Sequence, residues 1–157
     1  METTLHPTAD TAVLDKDAEA VLWNPTAAVL WSLLLTPALG AWLLMRNWDR
    51  LGQPDKARQA RHWFLGMLAI HVVNAVVATA GVLLEREIGM PWWIGLLLWG
   101  AWGVSSAYPQ ISHVEESHGE DYARRAWTVP LLIAVAAHLA LPCLAGLYAG
   151  LRAVMAA

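Results

Sequence analysis

Four stretches without Asp, Glu, Lys or Arg constrain this chain more than any other feature. They cover residues 27–45, 64–84, 88–108 and 129–151 and run 19, 21, 21 and 23 residues. At 1.5 Å per helical residue, about 20 apolar residues cross a hydrocarbon layer of about 30 Å. The pattern therefore predicts an all-α fold: an integral membrane helical bundle with four transmembrane segments, preceded by an acidic, largely flexible tail over residues 1–25. The tail carries Glu2, Asp10, Asp15, Asp17 and Glu19 against Lys16, without the basic-then-apolar order of a cleaved signal, and a short helix is expected around residues 11–22.

Composition agrees with that setting. A 157-residue chain that is 57% hydrophobic and 15% charged, with ten Trp, departs from the usual water-soluble domain. A net charge of −3 leaves no basic surface suited to nucleic acid. The single Cys143 has no partner within the chain.

Basic residues set the orientation. Residues 46–63 hold Arg46, Arg50, Lys56, Arg58 and Arg61, and residues 109–128 add Arg124 and Arg125. The opposite side receives Lys16, Arg86 and Arg152, giving seven against three. Loops 46–63 and 109–128 are expected to be cytoplasmic and the C-terminus periplasmic, in a bacterial inner membrane. Trp48, Trp63, Tyr108 and Trp127 are assigned to the cytoplasmic boundary, and Trp23, Trp92, Trp93 and Tyr148 to the other.

Local signals place the ends. Asn24-Pro25 reads as an N-cap followed by the first helical residue. Gly52 closes the turn after the first segment, and Pro54-Asp55 starts a helix that runs on into the second span. Residues 109–118 extend the third span as a helix that stops at Gly119. The first segment is the exception, because Thr36-Pro37 breaks it near the middle and Gly40 follows. It is either a kinked span, the favoured reading, or a re-entrant hairpin whose turn other helices must bury.

The elements Trp23-Asn24-Pro25, Trp31-Ser32-Leu33-Leu34 and Thr36-Pro37 with Gly40 are followed by Asn47-Trp48, Leu51-Gly52, Pro54 and Lys56-Ala57. Gln110, Val114, Gly119, Tyr122, Arg124, Arg125, Trp127 and the run from Pro130 to Ala134 complete the set. In these residues the chain resembles a group of uncharacterised small polytopic inner-membrane proteins of proteobacteria. The resemblance implies shared architecture in the broken first segment and the third connection. It implies no activity, and no catalytic residue follows from it.

Few polar groups remain to carry chemistry. His71 and His138 lie near the centres of the second and fourth spans, where two imidazoles facing each other would form the axial pair of a haem b. The alternative is an intramembrane polar contact among His71, Asn74 and His138, with Asn74 one turn from His71 and available to the His138 carbonyl that Pro142 leaves without a helical donor. A small transporter or channel component built on the same residues is a further reading. His113 and His118 flank Glu115 and Glu116, and read as part of a solvated helix or, at poor ligand spacing, a Zn²⁺ or Ni²⁺ site. Arg124, Arg125 and Trp127, with Trp48 and Trp63, are candidates for lipid headgroups at the interface. Pairs of small residues four apart, such as Gly146 and Gly150 or Ala136 and Ala140, are expected to pack helices within the chain or between copies of it. No nucleophile–base set, phosphate loop or paired carboxylate appears among the spans. The expected role is therefore non-enzymatic: an interaction, accessory or immunity-type protein with the lipid bilayer, a membrane protein partner or a second copy as its partner, and with no metal or cofactor outside the haem alternative.

Overall fold

The computed structural model describes residues 20–84, 86 and 88–156. Most of the acidic tail, with the helix expected around 11–22, lies outside the described residues. The described chain is helical: α1 (Pro25–Leu34), α2 (Pro37–Arg50), α3 (Pro54–Leu83), α4 (Trp92–Trp102), a π-helical turn (Gly103–Ala107), α5 (Tyr108–His118) and α6 (Thr128–Ala156). The expectation of an all-α chain holds among these residues. Of the four expected spans, one uninterrupted helix, Pro54–Val82, is by itself long and apolar enough to cross a membrane.

Proline writes the helix starts. Pro25, Pro37 and Pro54 each occupy the first turn of a helix, where the missing N–H costs nothing. Asn24 Oδ1 accepts the Ala27 N–H at 3.1 Å, and Thr36 Oγ1 accepts that of Ala38 at 3.3 Å. Pro37 also disfavours helical backbone at the residue before it. Thr36 is accordingly extended, at φ −162° and ψ 137°. The first segment stops there and begins again in a new direction.

That direction is backwards. Trp23, just before α1, pairs with Asn47 near the end of α2. At the other end Ser32 of α1 lies against Gly40 of α2. The two helices are antiparallel, so residues 27–45 form a helical hairpin and not the kinked span favoured from the sequence. At 1.5 Å per residue α1 is about 15 Å long, half a hydrocarbon layer. The hairpin tip at Thr36 reaches the level of Leu68 on α3 and Ala137 on α6.

Gly40 makes the fold-back possible. A Cβ at this position would stand 2.8 Å from Ser32 Cβ and collide with the Trp102 ring. Three elements therefore meet at one missing methyl group. The π turn serves the same junction. Residues four apart on an α-helix drift by about 40° per step, and the wider turn slows that rotation. Trp102, Ser106, Gln110 and Val114 are all buried at a spacing of four, which keeps one face of the α4–α5 helix on the hairpin.

The buried side chains lie at one end. One cluster joins Trp23, Ala28, Leu39, Leu43 and Leu44 of the hairpin to Met67, Trp102, Ala107 and Ala134. A second joins Leu22, Trp48 and Leu51 to Ala57, Ala60 and Val114. The far halves of α3, α4 and α6 instead turn their apolar residues outward: Val76 is 61% exposed, Leu97 64% and Leu147 65%. Gly146, Gly150, Ala136 and Ala140 are exposed too, so among the described residues these small-residue pairs do not pack α6 against another helix.

Replacing Gly40 by Ala forces Ser32 Cβ and the Trp102 ring apart. We expect a loss of about 1–3 kcal/mol, the usual range for an overpacked core. It is measured as a lower unfolding midpoint in detergent, with partial recovery in Gly40→Ala/Trp102→Leu. Unchanged stability of Gly40→Ala would contradict the close crossing.

Candidate functional site at the charged end

The base of the hairpin is closed by a primary amide acting as a peptide group. Asn47 Oδ1 accepts the Trp23 N–H at 3.0 Å, and Asn47 Nδ2 donates to the Trp23 carbonyl at 2.7 Å. The remaining Nδ2 hydrogen goes to Gln110 Oε1 at 3.2 Å. Gln110 Nε2 in turn donates to the Leu44 carbonyl at 2.9 Å. Asn47 and Gln110 are both fully buried. Asn offers two donors and an acceptor on one short stem, which Asp, Leu or Ser cannot reproduce. The network joins the chain before α1 to α2 and α5.

The next layer fixes the chain between α5 and α6. Leu22 donates its N–H to the Ala123 carbonyl at 3.0 Å and accepts from Arg125 N–H at 2.8 Å. This bridge between Leu22 and Arg124 is the one extended pairing among the described residues. Trp23 Nε1 donates to the Ala126 carbonyl at 3.2 Å. Every residue from 21 to 23 is therefore tied to a partner, since Arg50 Nη1 also donates to the Val21 carbonyl at 2.7 Å.

Around this core the basic residues sit on aromatic faces. Arg50 and Arg125 lie 5.2 and 4.7 Å from the Trp23 ring centre. Lys56 lies 4.5 Å from Trp48, Arg124 5.3 Å from Tyr122 and Arg46 6.0 Å from Trp42. Such contacts satisfy a cation while leaving it beside apolar surface. Burial, with Arg125 and Arg46 close by, lowers the Arg50 guanidinium from its ordinary value. Burial pushes the Tyr122 hydroxyl up, against the opposing pull of Arg124, and Glu115 adds to the rise. With Arg58 and Arg61 of α3, these residues form a collar of seven cations at one end of the bundle, five of them lying on aromatic rings.

Several expected positions change. Trp23 belongs to this charged end and not to the opposite boundary, because the hairpin returns the chain to the side from which it came. Trp48 is 2% exposed and lies tilted against His113, 5.2 Å between ring centres and 37° between planes, in the core of this end. Trp63, Trp127 and Arg125 are half-buried and Arg124 is exposed, positions open to an interface. His118 meets Tyr122 edge-on at 6.2 Å.

His71 is half-buried and His138 exposed, and among the described residues no hydrogen bond or ring contact joins them. Asn74 Oδ1 accepts the Met90 N–H at 2.8 Å and pins the connection between α3 and α4. No group of three or more possible metal ligands occurs among the described residues. Sequence reasoning misses the buried pair Asn47 and Gln110 as a polar site, because uncharged amides do not stand out by charge or hydropathy. Trp23, Trp48, Leu51, Ala57, Val114 and Pro130 are buried at the same end.

Asn47→Leu would leave the Trp23 N–H and carbonyl and the Gln110 carbonyl without partners. Each buried unpaired group costs about 1–3 kcal/mol. We expect a large fall in unfolding midpoint, with Asn47→Asp at least as damaging because it loses both donors and buries a carboxylate. A parental midpoint in either variant would show that the pairing does not hold the hairpin.

No family model matches the chain, and the comparisons with curated proteins and with solved structures found no match.

Proposed function

We propose that the chain is a small integral protein of the bacterial inner membrane that acts by binding another membrane component, in an accessory or immunity-type role. The observation that carries this reading is the half-built core. One end is closed by the collar, while α3, α4 and α6 leave it with their apolar faces outward. Exposed apolar surface of that extent marks a membrane or protein contact on a soluble-sized chain. Apolar flanks around an interior that holds the paired amides are what a bilayer requires. Asn47, Gln110 and Ser32 are committed to backbone groups and to one another, which favours a scaffold over a reaction centre. The resemblance to uncharacterised small inner-membrane proteins points the same way.

In this reading α3, α4–α5 and α6 are three spans and the hairpin is re-entrant. The seven collar cations face the cytoplasm, following the excess of Lys and Arg on that side of inner-membrane proteins. Because Trp23 sits within the collar, the segment before it is cytoplasmic as well, and the C-terminus is periplasmic.

A reporter inserted after residue 20 should give a cytoplasmic signal, and one fused after residue 157 a periplasmic signal. A periplasmic reporter at residue 20 would sink the re-entrant topology. The interaction role predicts a defined cross-linked species from photoreactive residues on the outward face of α6, such as Leu147, in native membranes. Solute flux through liposomes holding the purified protein alone would count against it.

A further inference from the structure

The collar and the apolar flank meet in a groove. Five of the seven collar cations lie on aromatic rings; among the described residues the other two, Arg58 and Arg61, line an open cavity of about 570 Å³ between α2 and α3. Asp49 is the carboxylate in that lining, and Trp42, Phe64 and Leu65 form its apolar side. Trp42 and Phe64 also line a second cavity of about 280 Å³, which continues between the hairpin tip, α3 and α6 past Leu68, Ile133 and Ala137. That trough is almost wholly apolar. The charged cavity and the apolar trough, adjoining at Trp42 and Phe64, therefore differ as the two ends of a lipid do.

We propose that this groove seats one phospholipid with an ethanolamine head. Its phosphodiester lies against Arg58 and Arg61, its ammonium against Asp49, and one acyl chain follows the trough past Trp42 and Phe64 to Leu68 and Ala137. The proposal rests on the membrane reading above. Two guanidinium groups and one carboxylate match a phosphate beside a primary ammonium. Guanidinium forks suit phosphate oxygens, and the ammonium supplies the N–H donors that Asp49 accepts. A glycerol head brings no cation to Asp49, and a choline head brings no N–H. Asp55 pairs with Arg58 at 3.3 Å, but both side chains are widely exposed, and such a pair yields readily to a phosphate. Trp42 stands where the headgroup gives way to the acyl chain, the depth that amphipathic rings prefer.

The test is native mass spectrometry of the full chain in a mild detergent, titrated with ethanolamine, glycerol and choline phospholipids of identical acyl chains. The parent should retain the ethanolamine lipid in preference to the other two. Arg58→Gln/Arg61→Gln should weaken it by roughly tenfold or more, from the loss of two cations near a lipid phosphate. Asp49→Asn should abolish the preference over the glycerol lipid, and Ala137→Trp should weaken all three by filling the trough. Arg86→Gln, an exposed cation in the connection between α3 and α4 and outside the groove, should leave binding unchanged. Circular dichroism establishes the fold of each variant, and Asp49→Asn on the exposed surface carries the test if a double variant misfolds. Equal retention by parent and Arg58→Gln/Arg61→Gln, or preference for the glycerol lipid, would overturn the proposal. So would displacement by inorganic phosphate at the same concentration, which would mark a site for free phosphate. A chain that stays monodisperse in water without detergent would remove the membrane reading itself; a detergent-requiring chain without lipid preference would remove only the groove.

Discussion

Closing a helical hairpin in apolar surroundings requires that the backbone at its base find partners within the protein, because a buried unpaired N–H or carbonyl is costly. Here one side chain meets that requirement. Asn47 offers Trp23 the same donor and acceptor that a neighbouring strand would, and then reaches Gln110 with its last hydrogen. The hairpin fixes where Leu22 emerges, Leu22 fixes the stretch from Ala123 to Arg125, and that stretch fixes the start of α6. The collar of cations on aromatic rings is the outer layer of this arrangement.

Two local irregularities let the elements approach closely enough. Gly40 removes the methyl group that would separate α1, α2 and α4, and the π turn holds Trp102 and Gln110 on a single face. Neither contributes stability by itself. Each permits a contact that does: Trp102 is fully buried at the crossing, and Trp99 Nε1 donates to Ser32 Oγ at 3.1 Å across it.

Much of the fold was legible in the sequence, for physical reasons that can be named. Proline position located the starts of α1, α2 and α3, and Gly52 and Gly119 end α2 and α5 with positive φ, at 66° and 60°. The direction of α2 was not legible. Pro37 announces a break, but a kink and a reversal share the same local chemistry, and only the Gly40 crossing and the Asn47 pairing decide between them. The π turn was hidden because Gly103–Ala107 reads as ordinary small-residue helix. The candidate site was hidden for a different reason. Hydropathy directs attention to ionisable groups in the middle of spans, whereas the polar groups that organise this chain are two uncharged amides at the edge of the apolar region.

The pairing at residues 21–23 also bears on the order of assembly. The groups that complete Trp23 and Leu22 lie 24 residues ahead in the chain at Asn47 and 103 ahead at Ala126. At translation rates of about 5–20 residues per second, the hundred intervening residues take about 5–20 s to synthesise. Through that interval Asn47 can already pair with Trp23, but the partners of Leu22 and of Trp23 Nε1 are still missing. The stretch before α1 is thus fully secured only when the loop before α6 arrives to lock it.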